Sequence, residues 1–144
     1  MRCYIFDIDG TVADATHRLS HIQKKPKDWD AFFAACIDDL PIEHIVGLTH
    51  ALSHFEKIVY VSGRSDQVRN ETEQWLKDFS CAAGTLYMRK AGDHRPDNII
   101  KAELLDQILA DGYEPIMAFE DREQVVQMWR ANGVPCAQVA EGKF

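Results

Sequence analysis

Two aspartates one residue apart, Asp7 and Asp9, follow the apolar run Cys3-Tyr4-Ile5-Phe6 and precede Gly10-Thr11. Two further apolar runs also end in polar groups: Ile58-Val59-Tyr60-Val61 in Ser62, and Ile116-Met117-Ala118-Phe119 in the pair Glu120-Asp121. If all three runs are parallel strands, their carboxyl ends share one edge, which is where open α/β sheets bind ligands. Asp7, Ser62 and Glu120/Asp121 are then expected to converge. Carboxylates brought within a few Å of each other repel, so they must share protons or hold a cation. An oxygen-rich site of this kind suits magnesium.

The runs that must position these groups are short, unbroken and rich in β-branched and aromatic residues, as suits a sheet buried on both faces. Segments of helical length lie between them, near 41 to 55, 65 to 79, 97 to 111 and 122 to 132. The last two end in Asp111-Gly112 and Asn132-Gly133, in the manner of helix C-caps. With weaker strands at 85 to 88 and 135 to 139, the pattern predicts an α/β fold with a doubly wound, mainly parallel sheet. One stretch breaks the alternation. Between Thr11 and Pro41 lies a segment too long for a simple loop, and Asp28-Trp29-Asp30-Ala31-Phe32-Phe33 within it has helical apolar spacing. A small helical cap at about 14 to 40, set on a single domain of residues 1 to 144, is expected, and an insert beside a site often acts as a lid.

Composition narrows the function. A net charge of −7 argues against a broad basic face gripping nucleic acid, so any such contact must be local. Basic residues do cluster, at Lys24, Lys25 and Lys27, at Arg64 and Arg69, and at Arg89, Lys90 and Arg95. No apolar stretch has the length of a membrane span, and the acidic pair comes too early for a secretory segment, so a cytoplasmic protein is expected. Cys3, Cys36, Cys81 and Cys136 are scattered and read as small buried hydrophobes rather than disulfide partners. His17/His21 and His50/His54 have metal-ligand spacing but lack a third ligand, and read as helix-surface histidines.

Asp7-Ile8-Asp9-Gly10-Thr11 resembles the first signature motif of the haloacid dehalogenase superfamily, Asp-x-Asp-x-Thr after an apolar strand. The resemblance implies that Asp7 attacks phosphorus to form an aspartyl phosphate. It also implies that Asp9 protonates the leaving oxygen and later deprotonates the hydrolytic water, a role that requires a raised pKa. Ser62 matches the hydroxyl that binds the transferring phosphoryl group, and Lys101 the lysine that neutralises charge against Asp7. The resemblance also makes Asp7, Asp9 and Asp121 the expected magnesium ligands; because Glu120-Asp121 departs from the double aspartate commonest at that place, Glu120 is either a further ligand or a support for the others.

Further elements resemble the phosphatase domains of the phage polynucleotide kinase type. They include Thr16-His17-Arg18, Pro26-Lys27-Asp28-Trp29, Val61-Ser62-Gly63-Arg64, Leu86-Tyr87-Met88-Arg89, Gly92-Asp93, Asp97 four residues before Lys101, and Asp121-Arg122. That similarity makes Thr11, Arg18, Gly63, Arg64, Arg89 and Asp97 expected phosphate or substrate contacts, arginine's planar fork suiting bidentate phosphate binding. The phosphate-binding loop of a kinase half is missing from these residues. No phosphorylation of 5′ ends is expected, and the resemblance implies a 3′-phosphate on a nucleic acid end or a nucleotide as the substrate. A 5′-nucleotidase or small-metabolite phosphatase would use identical chemistry. A phosphoaccepting receiver also combines clustered aspartates, a hydroxyl and a lysine, but its accepting aspartate ends a middle strand. A catalytically silent binding module is the remaining alternative.

Overall fold

The computed structural model describes residues 1–142. Strand β1 (Arg2–Asp7) is central to a five-stranded sheet, between β4 (Lys57–Ser65) and β6 (Glu114–Glu120), with β5 (Thr85–Arg89) and β7 (Cys136–Gln138) at the edges. All four pairings are parallel. A parallel sheet must be covered on both faces, and alternation along the strands shows how. Cys3, Ile5, Val59 and Val61 pack with α5 (Asp97–Ala110) and α6 (Glu123–Ala131), through Leu104, Ile108, Val125 and Trp129. The alternate residues Phe6, Ile58 and Tyr60 pack on the other side with Ile45 of α3 (Glu43–Ser53) and Trp75 of α4 (Arg69–Asp78). The α5 and α6 ends turn at Gly112 and Gly133, both at positive φ, as the Asp-Gly and Asn-Gly pairs predict.

Register fixes the reactive edge. Asp7 lies opposite Val61 and Phe6 opposite Phe119, so Ser62 and Glu120 fall at the level where β1 ends. The doubly wound parallel sheet is thus the expected one, and it puts the three polar strand ends side by side.

The segment after β1 is closed at its base by an antiparallel pair, β2 (Ala13–Asp14) with β3 (Leu40–Pro41). Between them run two short helices, α1 (Ser20–Gln23) and α2 (Trp29–Ala34), and two 3-10 turns. Asp28 caps α2 by accepting from the Ala31 N–H at 3.0 Å. Leu19, Ile22 and Phe32 form a small apolar cluster of their own, so the insert packs as a unit rather than trailing as a loop. No described helix is long and apolar enough to cross a membrane.

Candidate active site

Asp7 is buried at 4% exposure, yet it borders a cleft of about 440 Å³. Lys101 of α5 donates to Asp7 Oδ1 at 2.6 Å, and the Thr11 hydroxyl donates to Oδ2 at 3.0 Å. Lys101 also donates to Glu120 Oε2 at 2.9 Å and stands 3.5 Å from Asp97 Oδ2, one helical turn back. Burial alone would discharge this ammonium, but Asp7, Asp97 and Glu120 hold it firmly protonated.

Asp7, Glu120 and Asp121 each offer a carboxylate oxygen, all within 4.8 Å of one another. Burial, then the charge of Glu120, pushes Asp7 up to about 8 against the opposing pull of Lys101. Burial pushes Glu120 to about 7, and burial with the nearby Asp7 does the same to Asp121. Three buried carboxylates facing one ammonium carry surplus negative charge that either protons or a hard cation can offset. Glu120 is already committed, through Oε2 to Lys101 and through Oε1 to the backbone N–H groups of Asp121 and Arg122. Asp7 and Asp121 are therefore the better placed pair for a cation. Gly10, at φ +87°, makes room for this arrangement: a Cβ there would come 2.1 Å from Asp121 Oδ2.

Asp9 departs from expectation in two respects. Its carboxylate is not among the clustered oxygens; Oδ1 instead accepts from Arg64 Nε and Nη2 at 2.9 and 2.7 Å and from Arg18 Nη2 at 2.8 Å. Burial would raise its pKa, but the guanidinium groups of Arg64 and Arg18 outweigh it and hold the group down at about 2. The raised pKa expected of an acid is replaced by a firmly ionised carboxylate, which stands outside the cluster of Asp7, Glu120 and Asp121.

Arg18 and Arg64 are correspondingly not surface contacts for phosphate. Both have fully buried side chains. Arg18 grips Asp39 with Nε and Nη2 at 2.8 and 2.7 Å and donates through Nη1 to the Phe32 carbonyl. Arg64 reaches Asp39 at 3.0 Å and the Thr72 hydroxyl at 3.0 Å. His17 completes the cluster with Nε2 at 2.7 Å from Asp39. Asp39, absent from the expected site, is thus the hub that ties the insert, through Arg18 and His17, to β4 through Arg64. Neither its Asp-Asp-Leu context nor its spacing distinguished it; only the fold brings it to two arginines.

The remaining expected residues divide similarly. Ser62 is buried, its hydroxyl accepting from the Arg64 N–H at 3.0 Å, and Thr11 serves Asp7 rather than the cleft. Gly63, Arg89 and Asp97 do line the cleft. Gly63 leaves room for the Asp97 carboxylate, since a Cβ there would lie 2.0 Å from Oδ1. Arg89 donates to the carbonyls of Gly63, Asp93 and Arg95, which anchors the 89–97 loop on the cleft wall. Trp29, Phe32 and Phe33 of the insert supply the facing wall.

Comparison with known proteins settles the family. The family model for the polynucleotide kinase PNKP phosphatase domain matches residues 1–144. The chain belongs to this phosphatase-domain family. It is 32% identical over 136 residues to a protein of Autographa californica nuclear polyhedrosis virus assigned as a bifunctional polynucleotide kinase/RNA ligase, spanning 93% of this chain and 18% of that one. It superimposes on a chain of the Pnkp1/Rnl/Hen1 RNA repair complex with a TM-score of 0.84 and 30% identity in one structure, and 0.83 and 30% in another. Each covers 99% of this chain and less than half of the other. A haloacid dehalogenase-like hydrolase of Streptococcus pneumoniae shares the fold, with a TM-score of 0.64 at 13% identity over 93% of this chain and 82% of that one. The PNKP phosphatase domain here is therefore a haloacid dehalogenase-type α/β phosphatase fold, spanning less than half the length of these PNKP-type relatives.

Proposed function

We propose that this PNKP phosphatase domain is a magnesium-dependent phosphomonoesterase that removes 3′-phosphates from nucleic acid ends through an aspartyl phosphate on Asp7. The carrying observation is the placement of Asp7 at the cleft floor, with Lys101 and Thr11 on its two oxygens and Asp121 beside it. Asp7 and Asp121 would hold the cation, which when bound would neutralise phosphate charge and polarise the phosphoryl oxygens. The remaining chemistry belongs to the side chains. An Asp7 oxygen attacks phosphorus as the bond to the leaving oxygen breaks, and Lys101 offsets charge gathering at the attacking group. Asp9 enters this step carrying a proton from solvent on Oδ2, the oxygen that Arg64 and Arg18 do not engage, and gives that proton to the leaving oxygen. Ionised again, and steadied by Arg64 and Arg18, Asp9 takes a proton from water, whose oxygen displaces Asp7 and releases phosphate.

Substitution of Asp9 by Asn is then expected to slow a 3′-nucleotide at least about 100-fold while slowing an activated aryl phosphate much less in the first step, because the aryl leaving group needs little protonation. Burst kinetics on the two esters check this, and equal suppression of both bursts removes Asp9 from the acid role.

Cation binding has its own readout. The raised carboxyl groups stabilise the metal-free protein below pH 4, where folded and unfolded forms are both protonated. That contribution is lost as pH climbs through the folded values of about 7 and 8. Added magnesium should therefore raise the melting temperature more at pH 8 than at pH 5, and an equal shift at both would remove these carboxylates from the cation site.

The substrate assignment is tested by phosphate release from a 3′-phosphorylated oligonucleotide, its 5′-phosphorylated counterpart, the matching mononucleotides and an aryl phosphate. Preference for 3′-phosphates is expected. Preference for 5′-nucleotides or for the aryl ester alone would move the activity to a nucleotidase or a general phosphatase.

A further inference from the structure

The lysine run of the insert does not enter the chemistry above, yet its placement is specific. Lys24, Lys25 and Lys27 line a second concavity of about 540 Å³, which shares Trp29, Asp30 and His94 with the catalytic cleft. The two hollows are therefore contiguous, and Trp29 stands in the wall common to both. Trp29 is 38% exposed, stacked at 6.0 Å and 30° on Phe33, and Lys27 Nζ lies 5.7 Å from its ring centroid. The lysines are presented by a tied loop, because the Asp28 N–H donates to the His21 carbonyl at 2.8 Å across it while the Asp28 side chain caps α2. Of the two carboxylates along this hollow, only that of Asp30 is left without such a structural task among the bonds just described.

A basic track beside an aromatic surface is the combination that binds single-stranded nucleic acid: ammonium groups follow the phosphates while bases stack on the ring. In a protein of net charge −7, three lysines within four residues are a local exception, and they line the hollow that adjoins the catalytic cleft. We propose that the second concavity is a strand path for a single-stranded polynucleotide, with Trp29 stacking a base near the 3′ end and Lys24, Lys25 and Lys27 binding the phosphates upstream of it. This deepens the reading of the cleft as a phosphatase site for nucleic acid ends and rests on that reading. A mononucleotide has no upstream phosphates to place in the second hollow.

The test compares the protein with its K24A/K25A/K27A form in two assays. Fluorescence anisotropy with a single-stranded 3′-phosphorylated oligonucleotide, on the Asp7→Asn background to prevent turnover, is expected to show about a tenfold rise in Kd. The slope of log affinity against log salt should become shallower by about 2, as three single-strand phosphate contacts would give. In the Asp7-containing protein, KM for the oligonucleotide should rise while kcat/KM for a 3′-mononucleotide and an aryl phosphate stays unchanged. Unaltered Kd and salt slope overturn the proposal. So do parallel losses on the mononucleotide, or tighter binding of a blunt duplex than of a single strand. Trp29→Ala provides a charge-neutral check, because it should weaken the oligonucleotide without changing the salt slope. If 3′ ends release no phosphate, the phosphatase reading fails, and the anisotropy still decides the strand path.

Discussion

Substitution of Asp7 by Asn should reduce turnover of every phosphomonoester by at least about 10⁴-fold, the scale of loss when an enzymatic nucleophile is removed. The amide is a poor nucleophile and takes away one of the three clustered carboxylates. The same change should make the metal-free protein more stable, not less, above pH 8. Asp7 is pushed up to about 8 by burial and by Glu120, so ionising it at high pH opposes folding, and a neutral amide avoids that penalty. Lys101 keeps Glu120 and Asp97 as partners. Loss of activity together with an unchanged or higher melting temperature at pH 8.5 therefore separates a chemical defect from an unfolded protein. Residual turnover within tenfold of the parent would remove Asp7 from the nucleophilic role.

Asp39 predicts the largest effect on stability. Its carboxylate joins two fully buried guanidinium groups, and Asp39→Ala leaves Arg18 and Arg64 with Asp9 as the single remaining anion. Removing one partner from a buried ion cluster typically destabilises by about 3–5 kcal/mol. For a domain of this size that lowers the melting temperature by on the order of 10 °C. The change should also loosen the insert from β4, because Asp39 is held by Arg18 of the insert and Arg64 of β4 at once. Activity should then fall further than the folded fraction does, whereas Asp39→Asn, which preserves shape and accepting oxygen, should lose less. A melting temperature unchanged in Asp39→Ala would refute the assignment of Asp39 as the hub.

These two residues mark the boundary of what the sequence discloses. Asp7, Ser62 and Glu120 were legible because each ends an apolar run, and parallel register does the rest: Asp7 opposite Val61 and Phe6 opposite Phe119 align the polar ends. The helices between them were legible for the same local reasons, apolar periodicity and Asp-Gly or Asn-Gly stops. Lys101 came from motif order alone, and its burial against three carboxylates appears only when α5 docks on the sheet. Arg18 and Arg64 were recognised as charged groups of the site but were given the wrong partner. An arginine's spacing says that it can hold an anion, not whether that anion is a phosphate or a buried carboxylate elsewhere in the chain, here 9 to 55 residues away. Asp39 carried no such signal, since its meaning arises from the return of the insert onto β4. The ionised state of Asp9 follows from the same long-range pairing, which no local pattern encodes.

The central claim is that phosphate passes through Asp7, and rapid acid quenching with a 3′-[³²P]phosphorylated oligonucleotide tests it most directly. Label should appear on the protein within the first turnover, map to the peptide bearing Asp7, decay as free phosphate forms, and be absent from Asp7→Asn. Turnover that proceeds with no label on the protein at any time, or label that persists in Asp7→Asn, would contradict the account.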